Sequence, residues 1–142
     1  MLLGYNTNGL AHHRWDDAIR LIAEAGYRSV AITVDHHCLS PTSREFRSQL
    51  LQTQALLDRF KLRCVIETGA RFLLDPRRKH QPTLLSPTAA ERQTRQQFLR
   101  ECVGIARALD ADAVSFWSGT AVDAAEADEL WGRLRDGCRR LA

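Results

Sequence analysis

The feature that most restricts this chain is a change of hydrophobic period that recurs four times. Short apolar or β-branched runs alternate with stretches in which apolar residues return every three or four positions. Leu2-Leu3-Gly4-Tyr5 is the first run, broken by the turn-forming Asn6-Thr7-Asn8-Gly9. Trp15, Ala18, Ile19, Ile22 and Ala23 then trace one stripe of a helix, and Gly26 stands where a left-handed C-cap belongs. Ser29 through Val34 reads as a second strand ending at Asp35-His36-His37, and Phe46, Leu50, Leu51, Leu57 and Phe60 carry the second helix. Arg63-Cys64-Val65-Ile66 is the third strand, followed by a long loop from Gly69 to Pro87. Thr88 with Glu91 three residues later is a capping box, opening a helix striped by Phe98, Cys102, Ile105, Ala106 and Leu109. Asp112 through Trp117 forms the fourth strand, and Asp123 opens a last helix through Leu130, Leu134 and Cys138.

Strand and helix in strict alternation predict a parallel sheet with right-handed crossovers, covered by helices. Two architectures share the pattern: an open doubly wound sheet, as in flavodoxin-like binding domains, and a (β/α)8 barrel of about 250 residues. Four units in 142 residues amount to half a barrel. The expected fold class is therefore α/β, a (βα)4 half of a TIM (β/α)8 barrel. Residues 1–142 are expected to form its N-terminal half, truncated after the fourth βα unit. Such a half would expose two parallel edge strands and an apolar inner sheet face, which predicts self-association or a missing C-terminal half.

Composition narrows the function classes. The chain is 44% hydrophobic, enough for one core, and 20 basic against 17 acidic residues leave a formal charge of only +3. Gripping a nucleic acid duplex takes several phosphate contacts, so neither nucleic acid nor an anionic membrane is an expected partner. No signal-peptide pattern opens the chain, and no apolar stretch approaches the roughly 18 residues of a membrane span. The four cysteines, at 38, 64, 102 and 138, include no close pair and read as reduced packing residues of a cytoplasmic protein.

In either architecture the chemistry sits at the carboxyl ends of the strands. The candidates are Asn6 after the first strand, Asp35, His36 and His37 after the second, Glu67, Thr68 and Arg71 after the third, and Trp117 and Ser118 after the fourth. Histidine could serve in acid–base work or as a metal ligand, against the plain reading of a polar loop. His12 and His13 read as surface residues at a helix start. Glu67 ends a strand buried on both faces, and a carboxylate there must pair or mark a cleft. Arg71 or His80 is the expected partner, and the Arg77-Arg78-Lys79-His80 cluster could contact a phosphate or remain a solvated surface. The Gly69–Pro87 loop is long for a βα connection, and its leucine pairs predict that it folds onto the rim. Trp117 could stack on a sugar face or plug the rim. No GxxxxGK[ST], GxGxxG, GxSxG, HExxH or CxxC motif is present. No metal site can be assembled from these residues, and no catalytic residue is assigned.

The chain resembles the xylose isomerase-like barrel superfamily, which groups sugar and sugar-phosphate isomerases and epimerases with the endonuclease IV group (AP endonuclease family 2). The resemblance rests on Leu3-Gly4-Tyr5-Asn6, on Asp17-Ala18-Ile19 through Ala25-Gly26-Tyr27 leading into Val30-Ala31-Ile32, and on Leu99 to Ser118. It implies a sugar, sugar-phosphate or polyol substrate and a divalent metal, Mn, Mg, Co or Zn, assisting proton transfer next to a carbonyl. The family's ligands, two glutamates, an aspartate and a histidine, fall at the ends of strands five to eight, so none is expected in this chain, which alone is expected to be inactive. The first half would contribute substrate-binding surface, here Asn6, His36, Glu67 and Trp117. The endonuclease branch places histidines after strands three and four, where this chain has Glu67-Thr68 and Trp117-Ser118. That departure disfavours DNA repair. A non-catalytic half-barrel that dimerises as a binding or scaffold domain is the other reading.

Overall fold

The computed structural model describes residues 2–141. Its elements are β1 (Gly4–Asn6), a 3-10 turn (Thr7–Leu10), α1 (Trp15–Glu24), β2 (Ser29–Thr33), α2 (Phe46–Phe60), β3 (Arg63–Glu67), α3 (Ala89–Ala108), β4 (Val114–Ser115) and α4 (Ala127–Arg139). All pairings are parallel, and the strands lie in the order β1-β2-β3-β4. Sequential order is the barrel arrangement; a flavodoxin-like sheet would run 2-1-3-4-5. The open doubly wound alternative is thereby excluded, and the chain has the form of half a TIM barrel.

The period-2 pattern of the strands decides which face carries the helices. Val30, Ile32, Val34, Cys64 and Ile66 are buried and pack with Ile19, Ile22, Leu57, Phe98, Leu99, Cys102 and Ile105 from α1, α2 and α3. Fully burying one such aliphatic side chain is worth about 1.5–3 kcal/mol, so this layer dominates stability. The register sets Ser29 beside Arg63, Ala31 beside Val65, and Thr33 beside Glu67 on the opposite face. That face is mixed, with a polar pair on either side of Ala31 and Val65. The expectation of an apolar inner face is thus corrected in part: exposed apolar side chains lie at the two sheet edges, with Leu2, Leu3 and Tyr5 on the β1 side and Phe116, Trp117 and Val122 on the β4 side, and also on the helices, at Leu21, Leu51, Val103 and Trp131.

Local signals hold at the helix ends. Thr88 and Glu91 form the reciprocal capping box, and Gly26 adopts φ +89° after α1. Two boundaries differ from expectation. The fourth strand, at the sheet edge beside β3, pairs only over Val114–Ser115, leaving Phe116 and Trp117 beyond the ladder. Asp123 does not start α4, which begins at Ala127 behind Glu126; its carboxylate lies 2.9 Å from the Arg133 guanidinium. The long loop is folded onto the rim, with Leu84 fully buried and Leu73 and Leu74 packed against the core. Gly119 makes this possible on the β4 side. Its φ is +105°, and a Cβ there would lie 2.3 Å from Thr83 Oγ1.

Candidate functional site

Three adjacent strand ends converge on one polar row. Asn6 leaves β1 into the 3-10 turn, and its Oδ1 caps that turn by accepting the Asn8 N–H at 2.8 Å. Thr33 ends β2 opposite Glu67 at the end of β3, with Ser115 next in register on β4. The Thr33 hydroxyl lies 2.8 Å from Asn6 Oδ1 and 3.0 Å from Glu67 Oε2. It has one proton for two acceptors. Asn6 Oδ1 already receives the Asn8 N–H, so the carboxylate is the acceptor with more to gain from it. Thr33 is itself fixed from behind, its N–H donating to the buried Thr7 hydroxyl at 3.0 Å. Gly69 completes the turn over the carboxylate, since a Cβ there would stand 3.1 Å from Glu67 Oε2.

Neither expected partner of Glu67 is its partner. Ala70, with φ +45°, turns the chain so that Arg71 faces the β2 loop, where its Nε lies 3.2 Å from Asp35 Oδ2. That contact is an ion pair without hydrogen-bond alignment, because the buried Nε has no aligned acceptor. Arg71 is thus occupied by an acid of its own. His80 Nδ1 lies 2.7 Å from the Gly69 carbonyl oxygen, and its ring meets Trp117 edge-on at 5.8 Å between centroids. His36 is exposed at the tip of a tight turn in which Asp35 and Cys38 exchange backbone hydrogen bonds. With His12, His13 and His37 it lines a cleft of about 500 Å³ that shares no residue with the row.

The structure therefore brings Asn6 and Glu67 together through Thr33, sets His80 against Trp117, and leaves His36 and Arg71 to other contacts. Thr33 was absent from the sequence candidates. The alternation Ser29, Ala31, Thr33 on one face, aligned against Arg63, Val65, Glu67, is the signal that could have found it. Arg95 was also unforeseen. It is a buried guanidinium of α3 whose Nη2 donates to the Thr68 carbonyl at 2.8 Å, while Nε and Nη1 have no partner. Burial lowers its pKa.

Burial pushes the Cys38 and Cys102 thiols up to about 12 and Cys64 to about 11, so these cysteines are held as thiols and are poor nucleophiles. Among the described residues no three His, Cys, Asp or Glu side chains converge on a point where a metal could bind. Glu67 is the sole carboxylate of the row, which does not fit a divalent metal centre. No helix is long and apolar enough to cross a membrane.

A family model described as a xylose isomerase-like TIM barrel matches residues 19–142. Among solved structures, the fold is similar to a D-allulose 3-epimerase from Methylomonas sp., with a TM-score of 0.65 and 16% identity over 99% of this chain and 46% of that one. It is also similar to the 3-keto-D-glucoside 4-epimerase YcjR from E. coli, with a TM-score of 0.70 and 10% identity over 99% of this chain and 50% of that one. The chain spans about half the length of these structures. No curated protein matches the sequence significantly.

Proposed function

Because the chain belongs to the xylose isomerase-like TIM barrel family, we propose that it supplies the substrate-facing half of a sugar isomerase- or epimerase-like barrel. The observation that carries this reading is the Asn6–Thr33–Glu67 row at the carboxyl ends of adjacent parallel strands, where such barrels place their sites. A carboxylate, a carboxamide and a hydroxyl within hydrogen-bond reach suit the hydroxyl groups of a sugar or polyol. Glu67 accepts from a substrate hydroxyl, Asn6 and Ser115 flank it, and Trp117 offers a ring at the rim. Arg71 is neutralised by Asp35, so it gives a phosphate group no special support, and a neutral sugar is the favoured substrate class.

In this reading the complementary four units pair with the open edges of β1 and β4. Any metal that polarises a substrate carbonyl comes with ligands from outside these residues. The role of this chain is to bind and orient. The buried thiols are consistent with a reducing compartment such as the cytoplasm. The apolar edges also favour a second reading, in which two copies close on one another as a non-catalytic binding domain.

Deuterium uptake from D2O into D-fructose and D-allulose tests the proposal, with Mn²⁺ present, for the chain alone and for a version extended by four further βα units. Exchange is expected only in the extended form, and Glu67→Gln should raise the sugar's KM there. Turnover by the chain alone overturns the half-barrel reading, and an unchanged KM overturns the placement of the pocket.

A further inference from the structure

We propose that the groove between α3 and α4, on the helix side of the sheet and apart from the strand-end row, is a binding site for a small oxyanion-bearing molecule. It has a volume of about 570 Å³, within the roughly 300–1,000 Å³ of small-molecule sites. Arg92 and Arg100 of α3 form one wall, and Arg133 of α4 with Arg140 at its C-cap the other. Eight and seven residues of helix separate the members of each pair, about 12 and 10 Å along the axes, so each wall carries a guanidinium at two levels.

The charges are unequally neutralised. Arg133 is satisfied by Asp123 and Glu129, at 2.9 and 2.6 Å. Arg92 instead donates through Nη1 to the carbonyls of Ser86 and Pro87, both at 2.7 Å, and Arg100 donates through Nη2 to the Arg140 carbonyl at 3.1 Å. These neutral acceptors hold the two side chains in place without cancelling their charge. Among the described residues no carboxylate lies within 4.0 Å of either guanidinium nitrogen set. Glu129 and Asp136 also line the groove, and with Asp123 on Arg133 four bases face three acids, a local excess of 4 − 3 = +1.

Two glycines of α4 also line the groove. Gly137 is required by contact, since a Cβ there would stand 3.1 Å from Leu84 Cδ2. Gly132 is not, because a Cβ at that position meets nothing within 4 Å. Glycine in a helix interior is among the least favourable residues, and α4 carries one that packing does not require, as α3 does at Gly104. The side chain absent at Gly132 leaves open the space between the arginines. Guanidinium forks match phosphate and carboxylate oxygens, and the two arms of the test separate those two ligand sources.

Pyrophosphate and citrate are titrated into the full chain in low-salt buffer, followed by amide NMR and thermal melts, with NaCl at matched ionic strength as the control. Saturable shifts are expected at Gly132, Arg92 and Gln96, with a raised Tm. The tighter-binding probe identifies phosphate or carboxylate as the ligand chemistry. Arg92→Met with Arg100→Met should weaken binding at least tenfold. Gly132→Leu, which fills the open space at the α4 wall, should do the same, while Gly132→Ala should raise the Tm of the free protein. If the double arginine variant does not fold, the wild-type shift map and the Gly132→Leu titration still decide. Shifts that NaCl reproduces, that do not saturate, that map elsewhere, or that survive Gly132→Leu would overturn the site.

Discussion

Replacing Thr33 by valine removes one hydroxyl and keeps the shape of the side chain, which isolates the polar row. Thr33 is 5% exposed, and its hydroxyl stands 3.0 Å from a carboxylate oxygen. A hydrogen bond to a charged group contributes about 1.5–3 kcal/mol. Glu67 is only half-buried, so water recovers part of that loss, and a net destabilisation of about 1–2 kcal/mol is expected. With an m-value of roughly 2 kcal/mol/M in urea, the unfolding midpoint should fall by about 0.5–1 M at unchanged slope. The decisive measurement is a double-mutant cycle with Glu67→Gln. A coupling of at least ~0.5 kcal/mol is expected, because the two residues share one interaction. Thr33→Ser, which keeps the hydroxyl, should preserve that coupling. Additive effects, or a Thr33→Val variant within ~0.3 kcal/mol of the parent, would refute the row as an energetic unit.

Gly119→Ala should destabilise the fold by about 1–3 kcal/mol, since the new Cβ meets the Thr83 side chain at 2.3 Å and φ is +105°; chemical denaturation reads this directly, and a neutral result would mean the two loops are not packed together. The Arg78 guanidinium hydrogen-bonded to Glu91 holds its carboxyl below the ordinary value of 4.5, aided by the Thr88 hydroxyl and N–H. A depressed folded pKa gives stability that is complete above about pH 4.5 and is lost as pH falls through the depressed value. Glu91→Gln should therefore flatten the stability–pH curve below pH 4.5, and an unaltered acid limb would contradict the pairing.

Four amphipathic units, their order and most of their boundaries were legible because each signal is local. The capping box at Thr88 and Glu91, the αL glycine at Gly26 and the period-2 run from Ser29 to Thr33 involve residues within a few positions of one another. Asn6 and Glu67 were also legible as strand ends, since a parallel sheet gathers chemistry at its carboxyl edge. The partners of the charged residues depend instead on where the chain turns in space. Arg71 lies four residues from Glu67 in sequence, yet one left-handed residue, Ala70, sends it to Asp35, 36 positions upstream. Thr33 became the centre of the row only through register, which no single strand contains. The inner face is expected to be apolar, but beside Ala31 and Val65 it carries Ser29, Thr33, Glu67 and Ser115, because these positions face away from the helix layer. The sequence by itself thus determined the elements and their alternation, through short-range periodicity, while the spatial order β1-β2-β3-β4 came from the structure. Tertiary structure decided which charges pair, since ion pairing and register are settled by distances between residues far apart in the chain.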